Sequence, residues 1–467
     1  MSSQHPRLRG AILLALVAAA VLAPGVAAPT ASQSPIGTTI YLPLAALDRS
    51  PLPGAPNSAF GMVMSAVSSQ RGLDGALAAG ATWIRSNNNL RWRDVEPVEG
   101  GGYNWSAPSV KLVEQEILAA NQRNLTTILL VRSSPRWATK PYKSDCAPIS
   151  PDKYASFAAF LAAAVERYSK PPFNVAFWQI GNEPDAYLAS SDQGYGCWGI
   201  RSDPYYGGRA YGEMLKVVYP AIKAANPSVQ VMHGSLLLDR PYDPETGKGL
   251  SARFLEGVFL AGAAQSFDVL PFNAYWWTLD QMPDAADWKA KYLIDLQASY
   301  GVPRKPMIAT ETGLLCSKES AKCQQQQAYA VGRYYARAIG YDLLGALWYI
   351  YDSDSFYYTA LVDPANVSAP RPAYYAYRQA AAMLAGARYL GGLAGQPSGV
   401  EGHWLARPDG TSVVVVWSDP AQPIAVPVKP GAAVECSGWD GAPLPCANDG
   451  GAVALTAQPG PTYVLVR

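Results

Sequence analysis

Two glutamates each stand at the end of an apolar run that is typical of a buried β-strand. Glu183 closes residues 178–184, which end Gly-Asn-Glu-Pro, and Glu311 lies in residues 307–313, which end Thr-Glu-Thr-Gly. Cleavage of an acetal needs two carboxyl groups in different protonation states, because one protonates the leaving oxygen while the other, ionised, attacks or assists at the anomeric carbon. Glu183 and Glu311 are therefore the candidate catalytic pair.

The elements that must position this pair are alternating strands and helices between residues 59 and 384. Apolar or alternating runs predict eight strands, each followed by a helical pattern, at residues 59–65, 82–86, 126–132, 175–181, 229–233, 267–274, 305–312 and 344–351. The pattern predicts an α/β fold, a (β/α)₈ TIM barrel. A doubly wound open sheet is the alternative, but no glycine-rich phosphate loop follows the first strand.

Strands four and seven lie across the mouth of such a barrel, where functional groups project from the carboxyl ends of the strands. Glu183 and Glu311 would then flank a single bond. A lone glutamate at a strand end is as compatible with a structural ion pair as with catalysis. Two of them on these two strands favour catalysis.

The chain divides into four predicted regions: a signal peptide at 1–28, a linker rich in Pro, Ser, Thr and Ala at 29–57, the barrel at 58–386, and a small all-β, sandwich-like domain at 387–467. Arg7 and Arg9 precede an apolar stretch at 11–22 that is too short to span a bilayer, and Val26-Ala27-Ala28 offers small residues for cleavage. These features predict export and a secreted, extracellular protein. A retained anchor is the alternative.

The cysteines all follow the predicted signal peptide, and their even number in an exported chain predicts disulfides. Two pairs would close short loops and leave the third as the remainder, so the expected bonds are Cys316–Cys323, Cys436–Cys446 and Cys146–Cys197. No spacing of cysteines, or of histidines with carboxylates, matches a zinc or catalytic-metal pattern. No metal and no cofactor is therefore expected.

The two glutamate motifs resemble those of the clan A glycoside hydrolases, and most closely the family 39 type of β-xylosidase-like enzymes. The resemblance covers about residues 59–385, with the β-rich tail as an accessory sandwich, and its most specific pieces are Gly181-Asn182-Glu183-Pro184 and Thr310-Glu311-Thr312-Gly313. It implies a retaining hydrolase of β-linked glycosides, with Glu183 as general acid/base, Glu311 as nucleophile, and Asn182 bonded to the sugar 2-hydroxyl.

The resemblance also implies roles for residues that follow other strands. Arg85, at the end of strand two, would support the nucleophile, and a cation beside Glu311 would keep that carboxylate ionised. Tyr275, after strand six, stands where the clan often has a tyrosine near the nucleophile. A surface position for Arg85 and a core position for Tyr275 are the alternatives.

Three further residues are candidates for substrate binding: Trp137 after strand three, Trp348 after strand eight, and His233 at the end of strand five. The resemblance places Trp137 beside the substrate and Trp348 under the sugar as a platform. His233 could reach a substrate hydroxyl or Glu183. For each of the three, a packed structural position is the alternative.

Composition is consistent with a carbohydrate as the partner. The net charge of +1 gives no reason to expect nucleic acid, an acidic membrane surface or a polyanionic partner. The 13 Trp and 28 Tyr residues offer aromatic faces that stack well on sugar rings, although most should belong to the core. No membrane contact is expected after removal of the signal peptide, and a monomer is expected, with the oligomeric state otherwise open.

The loops that carry Cys146 and Cys197 depart from the family pattern and would crowd the site, which leaves the sugar and its linkage open. Loops at 186–204 and 235–250 should decide between exo and endo action by shaping a pocket or a cleft. Two other functions stay open: a carbohydrate-binding barrel without catalysis, and a transglycosylase of the same fold. The presence of both glutamates speaks against the first.

Overall fold

The computed structural model of the protein describes residues 52–142, 144–188 and 196–467. All of them belong to one compact unit, Tyr41–Arg467. The predicted signal peptide, the cleavage site and most of the predicted linker lie outside the described residues. Within the described part of the chain, no helix is both long enough and apolar enough to cross a membrane.

Eight parallel strands form the barrel, and the TIM-barrel prediction is confirmed. They are β1 (Phe60–Met64), β2 (Trp83–Ser86), β3 (Thr126–Arg132), β4 (Phe177–Ile180), β5 (Gln230–Met232), β6 (Leu270–Trp276), β7 (Met307–Leu314) and β8 (Leu343–Trp348). Neighbours pair in chain order, and β8 pairs with β1 through Phe60 and Ala346. The parallel bridge between Met232 and Val269 joins β5 to the start of β6 and completes the ring.

Helices connect the strands and cover the barrel. They are α1 (Leu73–Ala78), α2 (Trp92–Val95), α3 (Pro108–Asn121), α4 (Tyr154–Tyr168), α5 (Gly208–Ala225), α6 (Phe254–Leu260), α7 (Trp288–Ser299), α8 (Ala321–Gly340) and α9 (Pro372–Leu384). In α4 the buried residues Tyr154, Phe157, Leu161 and Val165 recur at helical spacing, so one apolar face packs on the barrel. Shorter single-turn helices lie at Ser69–Arg71, Pro151–Lys153, Leu250–Arg253, Leu279–Gln281 and Pro283–Asp287.

The barrel interior is a packed layer to which every strand, or the residue just before it, contributes one side chain. These side chains are Val63, Trp83, Ile128, Phe177, Met232, Val269, Ile308 and Leu347, each at most 2% exposed. Burying each one stabilises the fold by about 1.5–3 kcal/mol relative to leaving it in water. This layer closes the barrel below the strand ends and leaves only the rim for polar groups.

After α9 the chain forms two antiparallel sheets that face each other, as the sandwich-like prediction requires. The strands are β9 (Arg388–Gly392), β10 (Val400–Ala406), β11 (Ser412–Ser418), β12 (Gln422–Pro427), β13 (Val434–Ser437), β14 (Pro443–Leu444), β15 (Asn448–Asp449), β16 (Ala452–Ala457) and β17 (Thr462–Val466). One sheet has the order β9-β10-β11-β17-β13-β14 and the other β12-β16-β15. Val414, Val426, Val453 and Val464 fill the space between them.

Helix α8 joins the barrel to these sheets through a buried ion pair. Arg337 Nε on α8 donates to Glu401 Oε1 on β10 over 2.8 Å, and the Arg337 guanidinium lies 5.3 Å from the Trp417 ring. Burial would raise the pKa of Glu401, but the Arg337 charge and the hydrogen bond with His403 outweigh it and hold the pKa at about 2. The pair is therefore ionised at neutral pH.

Three disulfides are formed, and the predicted pairing is confirmed: Cys146–Cys197, Cys316–Cys323 and Cys436–Cys446. The first joins the loops that follow β3 and β4, beside the barrel mouth. The second closes a short segment between β7 and α8. The third lies in the C-terminal sheets.

Candidate active site

Glu311 lies on β7 and is held by donors from two other strands. Arg85 Nη2, from β2, donates to Glu311 Oε1, and Tyr275 Oη, from β6, donates to Glu311 Oε2 over 2.6 Å. Arg85 is itself oriented by Gln179, whose Oε1 accepts from Nη1 over 3.2 Å. A guanidinium and a phenol each donate to a different oxygen of this buried carboxyl group, so both oxygens are held in place. Arg85 and Tyr275, two of the residues that the sequence proposed for the site, thus both contact Glu311 directly.

Glu183 lies just after β4, in a turn that aims its side chain into the barrel mouth. Gly181 has φ +86° and Glu183 has φ +45°, and the Glu183 amide donates to the Ser235 carbonyl over 2.7 Å. A left-handed backbone is uncommon for a residue other than glycine and recurs at functional sites. The Asn-Glu-Pro turn therefore decides where this carboxyl group points.

The pKa of Glu183 is shifted strongly upward. Burial and then the negative charge of Glu311 raise the pKa to about 8, although the hydrogen bond from Asn273 lowers it. Glu183 is consequently protonated at neutral pH. The two carboxyl groups have different environments, which is the requirement for a general acid beside a nucleophile.

Asn273 on β6 is hydrogen-bonded to Glu183 and lies opposite Glu311 in the sheet. Its Nδ2 donates to Glu183 Oε1 over 2.8 Å, and in the β6–β7 pairing it lies opposite Glu311. Its Oδ1 accepts from Ser235 Oγ at 2.6 Å and from Thr310 Oγ1 at 3.1 Å, so both ends of the amide are hydrogen-bonded.

Sequence reasoning missed Asn273, although a signal was present. Asn273 and Tyr275 are two residues apart on one strand, so their side chains share a face. Once Tyr275 was placed at the site, alternation predicts Asn273 there too.

Two further buried groups act on Glu183, a carboxylate and an amine, and the sequence did not indicate either of them. Asp185 accepts from the Leu237 and Leu238 amides over 2.8 and 2.9 Å, yet burial still raises its pKa to about 6. Lys289, on α7, donates from Nζ to the carbonyls of Leu237 and Asn273, each over 2.7 Å. Burial lowers the pKa of Lys289 to about 8, and the charges of Asp185 and Glu183 oppose that shift.

Asn182, the residue before Glu183, is buried at 7% exposure and lines a cleft together with Ser134, Cys146 and Trp198. Among the residues that the structure describes, its Oδ1 has no hydrogen-bond partner. A buried acceptor without a partner costs about 1–3 kcal/mol. A substrate hydroxyl at this position would satisfy it.

Trp348 and its neighbour Tyr349 lie on opposite faces of the end of β8. Trp348 is fully buried in the layer between barrel and helices, where Nε1 donates to the Thr359 carbonyl over 3.0 Å. Tyr349 lies on the inner side, accepts from Asn87 Nδ2 at 3.2 Å and contacts the Tyr275 ring. A shift of one residue along a strand changes the face to which a side chain points.

Trp137 and His233 also have packed surroundings. Trp137 lies edge-on to Trp92 at 5.0 Å and donates to the Glu96 carbonyl over 3.2 Å. His233 is fully buried, bonds the Gly234 carbonyl through Nδ1, and has a pKa lowered by burial to about 4. Among the hydrogen bonds of the described residues, none joins either side chain to the two glutamates. The surroundings of both side chains match the packed structural position that was the alternative for each.

Comparison with known proteins gives similarity in structure alone. No protein-family model matches the chain, and no curated protein matches it significantly. A family 39 glycoside hydrolase from the gut symbiont Bacteroides cellulosilyticus WH2 superimposes with a TM-score of 0.67 at 20% identity, over 89% of this chain and 81% of that one. The catalytic domain of the family 30 xylanase C from Talaromyces cellulolyticus gives 0.60 at 14% identity, over 89% and 99%.

A family 39 β-xylosidase from Caulobacter crescentus gives a TM-score of 0.56 at 14% identity, over 90% of this chain and 98% of that one. The chain has the fold of these clan A glycoside hydrolases. The two glutamate motifs resembled those of this clan, and the superpositions confirm that resemblance at the level of the fold. The superposed region covers 89–90% of this chain and therefore extends into the β-rich tail.

Proposed function

We propose that this protein is a retaining glycoside hydrolase that cleaves β-linked O-glycosidic bonds of oligo- or polysaccharides by double displacement. One observation carries the proposal. Glu183 lies just after β4 with its pKa raised to about 8, and Glu311 lies on β7 with both carboxylate oxygens held by Arg85 and Tyr275. Shared fold with glycoside hydrolases supports it, but the residue environments carry the chemistry.

In the first step, a Glu311 oxygen attacks the anomeric carbon while the bond to the leaving oxygen breaks. Glu183 gives its proton to that oxygen, and a covalent glycosyl–enzyme results. Arg85 and Tyr275 hold the attacking carboxylate in place. The Asn182 Oδ1 is available to a sugar hydroxyl, a contact that strengthens as the transition state forms.

In the second step, Glu183 is ionised and accepts a proton from water, whose oxygen attacks the anomeric carbon. Glu311 leaves as a carboxylate, and the sugar keeps its original anomeric configuration. Asn273 supports both steps, since its NH₂ group can donate to either protonation state of Glu183.

A panel of aryl β-glycosides tests this proposal, with nuclear magnetic resonance used to follow the first anomer released. Wild-type protein should release the β-anomer, and Glu311→Gln should be inactive. The exposed Glu213→Gln on α5 serves as a control for the chemical change. Release of the α-anomer would exclude retention, and binding without turnover across plant and microbial polysaccharides would favour the non-catalytic barrel. Sugar–sugar products formed with an added acceptor would identify transglycosylation.

The same proposal includes export, with residues 1–28 removed, residues 29–57 as a linker, 58–386 as the catalytic domain and 387–467 as an accessory domain. The three disulfides support an oxidising compartment. N-terminal sequencing of protein from the culture medium tests it: a chain beginning near Pro29 is expected, whereas an intact terminus found only with membranes would support the retained anchor.

A further inference from the structure

A continuous row of aromatic rings runs from the nucleophile to the protein surface. Tyr275, which donates to Glu311, contacts the Phe356 ring at 5.0 Å, and Phe356 contacts Tyr357 at the same distance. Tyr357 contacts Trp277, again at 5.0 Å. These four aromatic residues, Tyr275, Phe356, Tyr357 and Trp277, form what we term the aromatic wall.

Exposure increases along the wall. Tyr275 and Phe356 are partly buried, whereas Tyr357 is 47% exposed and Trp277 is 43% exposed. Trp277 is the one exposed tryptophan among the described residues. Adjacent large aromatic rings left in water cost hydrophobic free energy, and a patch of this kind marks a binding surface.

The outer part of the wall is held rigidly. Tyr357 and Tyr358 have φ values of +49° and +53°, a left-handed conformation that persists only where surrounding contacts impose it. Those contacts are present: the Cys316 amide donates to the Tyr357 carbonyl over 2.9 Å, and Gln327 Nε2 donates to the Tyr358 carbonyl over 3.0 Å. The Cys316–Cys323 disulfide closes the segment behind them.

We propose that Trp277 and Tyr357 form a carbohydrate subsite beyond the catalytic pair, where a second or later sugar ring of a β-linked chain stacks. The rings join the site through Tyr275, so a chain bound at Glu311 can extend along the wall. Neutral sugar rings carry C–H faces that pack on aromatic faces, and preorganised rings lose little entropy on binding. This inference rests on the proposed function and narrows the substrate to an oligosaccharide or polysaccharide.

Trp277→Ala and Tyr357→Ala test the subsite, with Tyr375→Ala on α9 as the control, because that tyrosine is 37% exposed on a helix and is not one of the four residues of the aromatic wall. The measured quantity is the ratio of kcat/KM on aryl β-xylotrioside or β-cellotrioside to that on the matching aryl monoglycoside. Each wall variant should lower this ratio about tenfold, since ring stacking contributes on that scale, and the control should keep the wild-type ratio.

Binding of xylotriose and cellotriose to Glu183→Gln, followed by calorimetry, separates the subsite from catalysis. If the wall substitutions lower the affinity of Glu183→Gln for these trisaccharides, the subsite is supported. That conclusion holds even if the wild-type protein hydrolyses none of the glycosides, a result that would refute only the proposed function. Unchanged ratios and unchanged affinities overturn the subsite while leaving hydrolysis standing. If the ratios are unchanged and the wild-type protein is a dimer that dissociates in Trp277→Ala, the subsite is overturned. The exposed rings would then contact a second copy of the chain.

Discussion

Asn273 Nδ2 donates a hydrogen bond to Glu183 Oε1, while Asn273 Oδ1 accepts from the hydroxyls of Ser235 and Thr310. The bond stabilises the ionised form of Glu183 and lowers its pKa, against burial, which raises it. The alkaline limit of activity should therefore report this contact, since the first step needs Glu183 protonated.

Asn273→Ala should raise the pKa of Glu183 above its value of about 8 and shift the alkaline limb of the kcat/KM profile to higher pH. Ser235→Ala should shift the limb in the same direction by less, because the amide stays but loses one of its two orienting donors. Initial rates on an aryl glycoside between pH 4 and 10 measure both effects. A limb that stays in place or moves to lower pH in Asn273→Ala would contradict the role assigned to the amide.

Glu183→Gln should discriminate between leaving groups. The rate on glycosides with a poor leaving group should fall about 10²–10⁴-fold, since that is the range of general acid catalysis. A dinitrophenyl glycoside needs no proton to leave, so its glycosylation step should be nearly unaffected, and a burst of dinitrophenol should precede slow turnover. Stopped-flow absorbance measures the burst.

Glu311→Gln is the matched variant for that experiment. It should abolish turnover and the burst with both leaving groups, because no carboxylate attacks the anomeric carbon. If the burst were instead lost in Glu183→Gln and kept in Glu311→Gln, the two roles would have to be exchanged.

Lys289→Met should raise the pKa of Glu183, because it removes a buried positive charge that lowers that pKa. The alkaline limb should move up, and the free energy of unfolding should fall by about 1–3 kcal/mol as two carbonyls lose their donor. Lys291→Met, two residues along α7 and 69% exposed, is the control and should change neither quantity. A shift of the alkaline limb to lower pH in Lys289→Met, or an equal shift in Lys291→Met, would contradict the electrostatic role of Lys289.

The Arg337–Glu401 pair should make the free energy of unfolding depend on pH. The pKa of Glu401 is held at about 2 against 4.5 unperturbed, so its contribution is present above about pH 4.5 and is lost as the pH falls toward 2. At neutral pH, Glu401→Gln should therefore cost on the order of 3 kcal/mol of unfolding free energy. Urea denaturation at several pH values measures this difference, with the exposed Glu435→Gln as control. A difference that stays constant down to pH 2.5 would rule out the linkage.

The sequence and the structure agree most closely where periodicity is strong. The strand at 126–132 was predicted at its observed bounds, because a continuous apolar run between turn residues has few other stable environments. The C-terminal sheets were predicted less completely: β14 and β15 have two residues each, too few to show any alternation. Trp348, which the sequence proposed as a sugar platform, is buried between barrel and helices, and the alternation of β8 places Tyr349 on the inner face.

By itself, the sequence determined the barrel, the disulfide pairs and the choice of Glu183 and Glu311 as the candidate pair, since these depend on local pattern, on loop length and on which residue ends a strand. Only the tertiary structure decided how the glutamates differ. The pKa of Glu183 depends on burial, on the charges of Glu311 and Lys289, and on the hydrogen bond from Asn273, whereas Glu311 is held by Arg85 and Tyr275. These groups come from β7, α7, β6 and β2, far apart along the chain, and only closure of the barrel brings them together.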